Sequence, residues 1–191
     1  MKKSLSLILA GAMALMAANE NAGRRAPSFS LPDMNMKQHD ILDYRGKVLI
    51  VEFMQTKCQN CQALTKMFDT KLKPKYGDKL QVLSIVVPPD TFDVVKKYVE
   101  VFKTNTPILF DMGQVAGSYV KASPDRPAMF FPHIFLIDPS GQIRNDWQWT
   151  AGNLYPEVLS GDKLIAEIDK ILGEGGASAA PAAAKTPAKK K

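Results

Sequence analysis

The sequence predicts an α/β domain built on a mixed sheet, and three observations support that class. Apolar β-branched runs alternate with stretches whose apolar residues recur three and four positions apart. The last part of the chain reads as a strand hairpin and a closing helix, which adds antiparallel strands to a parallel start. The length, 191 residues, holds one ordinary domain with appendages at both ends. That domain is expected over residues 25–172, without an internal repeat.

The elements follow in order. Ala26-Pro27-Ser28-Phe29-Ser30-Leu31-Pro32 is an extended, proline-punctuated lead-in, and Ile41-Leu42 precede a turn at Asp43-Tyr44-Arg45-Gly46. Lys47 to Met54 is expected as a strand, and from Val48 onward it is apolar apart from Glu52, the pattern of a strand buried on both faces. Gln59 to Leu72 is expected as a helix with Cys61, Leu64, Met67 and Phe68 on one face and Pro74 beyond its end. Leu80 to Val87 is a second strand, halted by Pro88-Pro89. Thr91 to Phe102 is helical with Asp90 as its N-cap. A short strand at Ile108 to Phe110 and a short helix at Gln114 to Val120 come next. Phe130 to Ile137 and Gln142 to Trp149 form the hairpin around Asp138-Pro139-Ser140-Gly141. Ser160 to Leu172 closes the domain, with Leu164, Ile165, Ile168, Ile171 and Leu172 facing inward.

Both ends differ in composition from this domain. Met1-Lys2-Lys3, the apolar stretch from Leu5 to Ala18 and the small residues at its exit describe a secretory signal peptide over 1–18. The stretch is short for a membrane span, which needs about 20 residues; an uncleaved anchor is the other reading. It holds no cysteine for a lipid. Residues 19–24 read as a linker. Residues 173–191 contain only Gly, Glu, Ala, Ser, Pro, Thr and Lys and are expected to be disordered, since they cannot bury enough apolar surface to order themselves. The formal charge of +6 comes from these ends. Setting aside six of the 25 basic residues (Lys2, Lys3, Lys185, Lys189, Lys190, Lys191) and one of the 19 acidic residues (Glu174) leaves +1. A nearly neutral domain argues against nucleic acid as a partner.

Cys58 and Cys61 are the only cysteines, spaced as Cys58-Gln59-Asn60-Cys61 between the central strand and a helix. A helix N-terminus favours a thiolate at the first cysteine, and Lys57 is placed to push the same way. No cysteine is left over for a structural disulfide, so the pair is either redox chemistry or half a metal site. Export favours the first, because an isolated C-x-x-C outside the cytoplasm can cycle as a disulfide.

Four features carry a family resemblance. They are Arg45-Gly46-Lys47-Val48-Leu49-Ile50-Val51-Glu52-Phe53 running into the cysteines; Phe131-Pro132-His133-Ile134-Phe135-Leu136-Ile137-Asp138 followed by Gly141-Gln142-Ile143; the extended segment before the first core strand; and the helix and short strand between the two halves. Together they make residues 25–172 resemble a thioredoxin-like fold, a central mixed β-sheet flanked by helices with an N-terminal extension. Within that fold the chain is similar to the redoxin, TlpA/ResA-like group of exported thiol-disulfide oxidoreductases.

The resemblance implies a set of roles. Cys58 is the nucleophile and Cys61 the resolving thiol. Pro132 is a cis-proline beside them, and the backbone of Phe131 pairs with substrate. Lys57 and His133 flank the substrate site. Glu52 lies six residues before Cys58, where thioredoxins carry a buried aspartate that moves protons to and from the second cysteine. A carboxyl in an apolar strand should have a raised pKa. The only redox group implied is the Cys58–Cys61 disulfide, with no cofactor and no metal. The partners implied are protein thiols and disulfides and a membrane or periplasmic redox partner, and the chain is expected to be a monomer.

The chain departs from the group at Lys57, where thioredoxins carry tryptophan, at Gln59-Asn60, and at Leu64, where some ResA-like reductases have glutamate. Ala122 to Met129 makes a longer approach to Phe131-Pro132 than usual. These departures leave the direction of electron flow open. Three rivals stand beside the oxidoreductase. In a copper or other metal-binding module, Cys58, Cys61 and His133 would converge, although such sites usually space their cysteines by three residues. A peroxiredoxin-type peroxidase would need Pro and Thr where this chain has Val51 and Gln55. A redox-silent binding domain would leave Glu52 and both cysteines without a shared purpose. His39 reads as part of a solvated turn, and Trp147 and Trp149 as packing residues.

Overall fold

The computed structural model describes residues 21–125, 129–149 and 156–178. The expected signal peptide and residues 179–191 of the expected tail lie outside them. In chain order the elements are β1 (Ser30–Pro32), β2 (Gln38–Asp40), β3 (Val48–Met54), α1 (Gln59–Met67), α2 (Lys73–Tyr76), β4 (Leu80–Val86) and α3 (Phe92–Phe102). They continue with β5 (Ile108–Phe110), α4 (Gln114–Val120), β6 (His133–Ile137), β7 (Ile143–Gln148), α5 (Pro156–Leu159) and α6 (Asp162–Ser178).

Five strands form one sheet in the order β5-β4-β3-β6-β7, and β1 pairs with β2 in a separate two-stranded ribbon. β3 runs parallel to β4, and β4 to β5, whereas β3–β6 and β6–β7 are antiparallel. β3 is therefore central. It is buried at every position, which is why its sequence reads as a continuous apolar run.

Alternation along the strands divides the core between the two faces of the sheet. Ile50, Ile134 and Leu136 pack with Leu64 and Phe68 from the α1 region and with Leu164 and Ile168 from α6. Val51, Phe53 and Phe135 face the other way, toward Phe29 and Tyr119. There the Tyr119 ring meets Phe53 and Phe135 edge-on at 5.3 and 4.9 Å. A third cluster closes the end of β3, where Met54, Cys61, Val95 and Tyr98 pack together with Cys58 and Phe131 at its margin.

Four expectations need correction. The first helix does not stop before Pro74. A wide π turn over Phe68–Leu72 carries it into α2 with Pro74 in the first turn. Proline lacks an N–H and crowds the preceding turn of a regular helix, and the wider turn relieves that conflict. Asp90 does not cap α3. Thr91 holds that position without a side-chain cap, while the Asp90 carboxylate accepts the Thr56 N–H at 2.6 Å and its hydroxyl at 2.9 Å. His39 is not solvated. Pairing of β1 with β2 turns its ring inward to 3 % exposure, with the Tyr44 hydroxyl at 2.6 Å and Asp33 Oδ2 at 3.0 Å on its two nitrogens. The closing helix does not end at Leu172 but runs to Ser178, with Arg144 bridging to Glu174 at 2.7 Å.

Residues 21–24, expected as linker, are bonded to the domain. The Gly23 N–H donates to the Ile143 carbonyl at 2.8 Å, and the Ile143 N–H to the Arg24 carbonyl at 2.9 Å. Among the described residues two peptide bonds are cis, Phe131–Pro132 as expected and Pro88–Pro89 in addition.

Candidate active site

β3 delivers the chain to the site. After Met54 a turn closed by Cys58 N–H to the Gln55 carbonyl, 3.0 Å, leads into α1. Cys58 occupies the N-cap of that helix, and its sulfur accepts the Cys61 N–H at 3.2 Å. Thr56, two residues earlier, is held on both sides. Asp90 takes its N–H, and Gln62 Nε2 donates to its carbonyl at 2.9 Å. The approach to the first cysteine is thereby fixed from α1 and from the loop before α3.

Both thiols are free; Cys58 is partly exposed and Cys61 buried. Their acidities diverge accordingly. The hydrogen bond from the Cys61 thiol, against partial burial, and the N–H groups of Cys61 and Asn60 bring Cys58 down to about 6. Burial, then the Cys58 bond and the charge of Glu52, push Cys61 far up. The Cys61 thiol is the leading cause, and the N–H groups of the helix start, the effect expected from the sequence, add to it. Lys57 is exposed, and the lowering comes from these donors instead of its ammonium.

On the other side of the dithiol, the Phe131 carbonyl lies 3.9 Å from Cys58 Sγ, within reach of a sulfur hydrogen bond. Pro132 is buried behind it, and its carbonyl accepts the Trp149 N–H at 3.0 Å. Phe131 packs at the margin of the cluster that holds Cys61. The structure thus brings Cys58, Cys61, Phe131 and Pro132 together.

Glu52 is fully buried on β3, with burial raising its pKa to about 8 against the bond from Ser84. Ser84 Oγ donates to Glu52 Oε2 at 2.7 Å, and Oε1 has no partner among the described residues. Glu52 thus sits on the central strand and away from solvent.

His133 is placed elsewhere than expected. It pairs with Phe53 across β3, stacks on Phe135 at 4.2 Å and binds Asp146 Oδ2 at 2.6 Å, with 2 % of its surface exposed. These partners lie on the face of the sheet opposite α1, because Phe53 and Phe135 alternate with Glu52 and Ile134 along their strands. His133 therefore neither lines the substrate surface nor joins the two cysteines in a Cys₂His site. Among the described residues there is no cluster of three or more His, Cys, Asp or Glu side chains arranged to hold a metal.

Two further residues escaped the sequence reading. The Thr65 hydroxyl donates to the Cys61 carbonyl at 3.1 Å and shares a 2.7 Å bond with the Tyr98 hydroxyl. Tyr98 feels the charges of Glu52, Cys61 and Cys58, and burial raises its pKa. Thr65 falls four positions after Cys61 and Tyr98 on the buried stripe of α3 with Val95, so spacing alone does not distinguish them from ordinary core residues.

A five-stranded mixed sheet with helices on both faces, a C-x-x-C at the start of the helix after the central strand, and a cis-proline across from it together define a thioredoxin-fold protein. The AhpC/TSA family matches residues 22–146, and the chain belongs to that family. It is 30% identical over 122 residues to the thiol-disulfide oxidoreductase ResA of Bacillus thuringiensis, covering 63% of this chain and 66% of that protein, just under two thirds of its length. It is 25% identical over 125 residues to the thioredoxin-like protein YneN of Bacillus subtilis, covering 64% and 69%. The crystal structure of a putative thiol:disulfide interchange protein DsbE from Chlorobium tepidum superposes with a TM-score of 0.64 at 21% identity, covering 80% of this chain and 98% of that one. That likeness establishes the fold.

Proposed function

We propose that the protein is an exported thiol-disulfide oxidoreductase that exchanges disulfides with protein substrates through Cys58 and Cys61. The observation that carries this reading is the division of the two thiols. Cys58 is partly exposed and held as a thiolate by the Cys61 thiol and the N–H groups at the start of α1, while Cys61 lies one turn in, shielded and protonated. The names of the curated relatives agree with it.

The chemistry runs in two displacements. The Cys58 thiolate attacks a substrate disulfide; one substrate sulfur leaves as a thiolate and a mixed disulfide forms. Cys61 then attacks Cys58 Sγ and gives its proton to Glu52, and the second substrate sulfur leaves. The dithiol loses two electrons and the substrate disulfide gains them; the reverse sequence oxidises a substrate dithiol. The Phe131 carbonyl beside Cys58 supports docking of an extended substrate backbone there, with exposed Lys57 at its border. The redox group is the Cys58–Cys61 pair itself. The protein acts as a monomer, and a membrane or periplasmic redox partner restores the resting state.

Export rests on the signal-like residues 1–18, which lie outside the described residues. Among the described residues no helix is long and apolar enough to cross a membrane.

The test is the reduction potential of Cys58–Cys61, measured by thiol trapping and mass after equilibration in glutathione or dithiothreitol buffers. A value near about −270 mV makes the protein a reductase and one near about −120 mV an oxidant. If no disulfide forms at any poise, the reading fails.

A further inference from the structure

β4 runs Leu80-Gln81-Val82-Leu83-Ser84-Ile85-Val86, and one residue in its apolar half is polar and buried: Ser84, 2 % exposed. Glu52 and Ser84 are partners in the parallel β3–β4 register, so both side chains leave the same face of the sheet at neighbouring positions. The serine hydroxyl has a single proton, and its 2.7 Å bond to Glu52 Oε2 commits it. The other carboxyl oxygen, Oε1, is buried and has no partner among the described residues.

We propose that Ser84 is a positioning residue for the dithiol, and the inference rests on the oxidoreductase reading above. Its hydroxyl fixes Oε2 as a hydrogen-bond acceptor and so leaves Oε1 as the oxygen that takes and returns the Cys61 proton. A carboxylic acid carries its proton on the oxygen that is not already accepting a bond. The partner's neutrality matters as well. A cation opposite Glu52 would hold it ionised throughout the neutral range, and an apolar residue would hold it protonated further into alkali. A hydroxyl favours the carboxylate modestly and leaves the group able to gain or lose a proton under ordinary conditions.

The step it serves is the second displacement. The Cys61 S–H proton passes to Glu52 Oε1 as the Cys61 Sγ–Cys58 Sγ bond forms. The bond between Cys58 Sγ and the substrate sulfur breaks, and that sulfur leaves with the electron pair. The dithiol is oxidised by two electrons and the substrate disulfide is reduced by them.

The experiment uses the full chain and an aryl disulfide that releases a coloured thiolate. Stopped-flow absorbance then shows two phases, attack by Cys58 and displacement by Cys61, and the rate of the second is followed against pH. In the wild type it should rise through an inflection near 8, where Glu52 ionises. In Ser84→Ala the carboxylate loses its donor, so the inflection moves to higher pH by about one unit, the scale of one hydrogen bond to a charged group. Ser84→Thr, which keeps the hydroxyl, returns it toward the wild-type position. Ser84→Gly is a second hydroxyl-free variant if Ser84→Ala does not fold. Glu52→Gln should abolish the inflection. If it does so while the hydroxyl-free variant titrates like the wild type, the role of Ser84 is overturned. If Glu52→Gln leaves the wild-type profile in place, the assignment of Glu52 falls, and that of Ser84 with it.

Discussion

The amide of Cys61 donates to the sulfur of Cys58 at 3.2 Å, so the nucleophile caps the helix that carries its own resolving partner. One short turn thus stabilises the thiolate and sets the separation of the two thiols. The Cys61 thiol itself is the largest cause of the lowered Cys58 pKa. Alkylation of Cys58 by iodoacetamide should be half-maximal near pH 6. In Cys61→Ala the midpoint should move upward, toward an ordinary thiol, because the leading donor is gone and only the backbone N–H groups remain. Lys57→Ala should leave it in place. An unmoved midpoint in Cys61→Ala would show that the helix start acts alone.

Glu52 makes stability depend on pH in a definite direction. Burial raises its pKa from 4.5 to about 8 in the folded chain. The folded state therefore keeps a proton that the unfolded chain releases. The associated stability is complete below about 4.5 and is lost as the pH climbs toward 8. The loss across that window is on the order of 4 kcal/mol. Cys58, lowered to about 6, works in the opposite sense above that pH, so the comparison must be with Glu52→Gln. The gap in Tm between variant and wild type should widen in favour of the variant from pH 5 to pH 8. A constant gap would mean that Glu52 titrates normally.

Asp90 anchors the cysteine turn to the loop before α3. Asp90→Ala leaves the buried Thr56 N–H and hydroxyl without their acceptor, at a cost of about 1–3 kcal/mol. Asp90→Asn keeps one acceptor oxygen and should cost less. Urea denaturation measures both, and equal losses would argue against the two-bond clamp.

His133 tests the separation of the two faces of the sheet. His133→Ala removes the 2.6 Å bond to Asp146 and the stacking on Phe135. It should lower stability by about 2–3 kcal/mol. The alkylation midpoint of Cys58 and its rate with a small disulfide should not change. A slower reaction at unchanged stability would return His133 to the substrate surface.

By itself the sequence determined the class of fold, the chain order of the five sheet strands and of the longer helices, and the two cysteines at a helix start, while the β1–β2 ribbon and α5 went unread. β5 and α4 fall on the residues that periodicity and turn signals marked, and β3 falls within one. Such elements answer to short-range rules of spacing, and a buried strand announces itself by its unbroken apolar run. Glu52 was legible for the same reason, as the one charge within that run. Its partner Ser84 stands 32 positions away, Thr56 and Asp90 are separated by 34, and Thr65 and Tyr98 by 33. The face taken by His133 depended on where β6 begins and on how it registers with β3. Only the tertiary structure decided these, because a hydroxyl or a carboxylate finds its partner through strand register and helix docking, which bring together residues that no local pattern links.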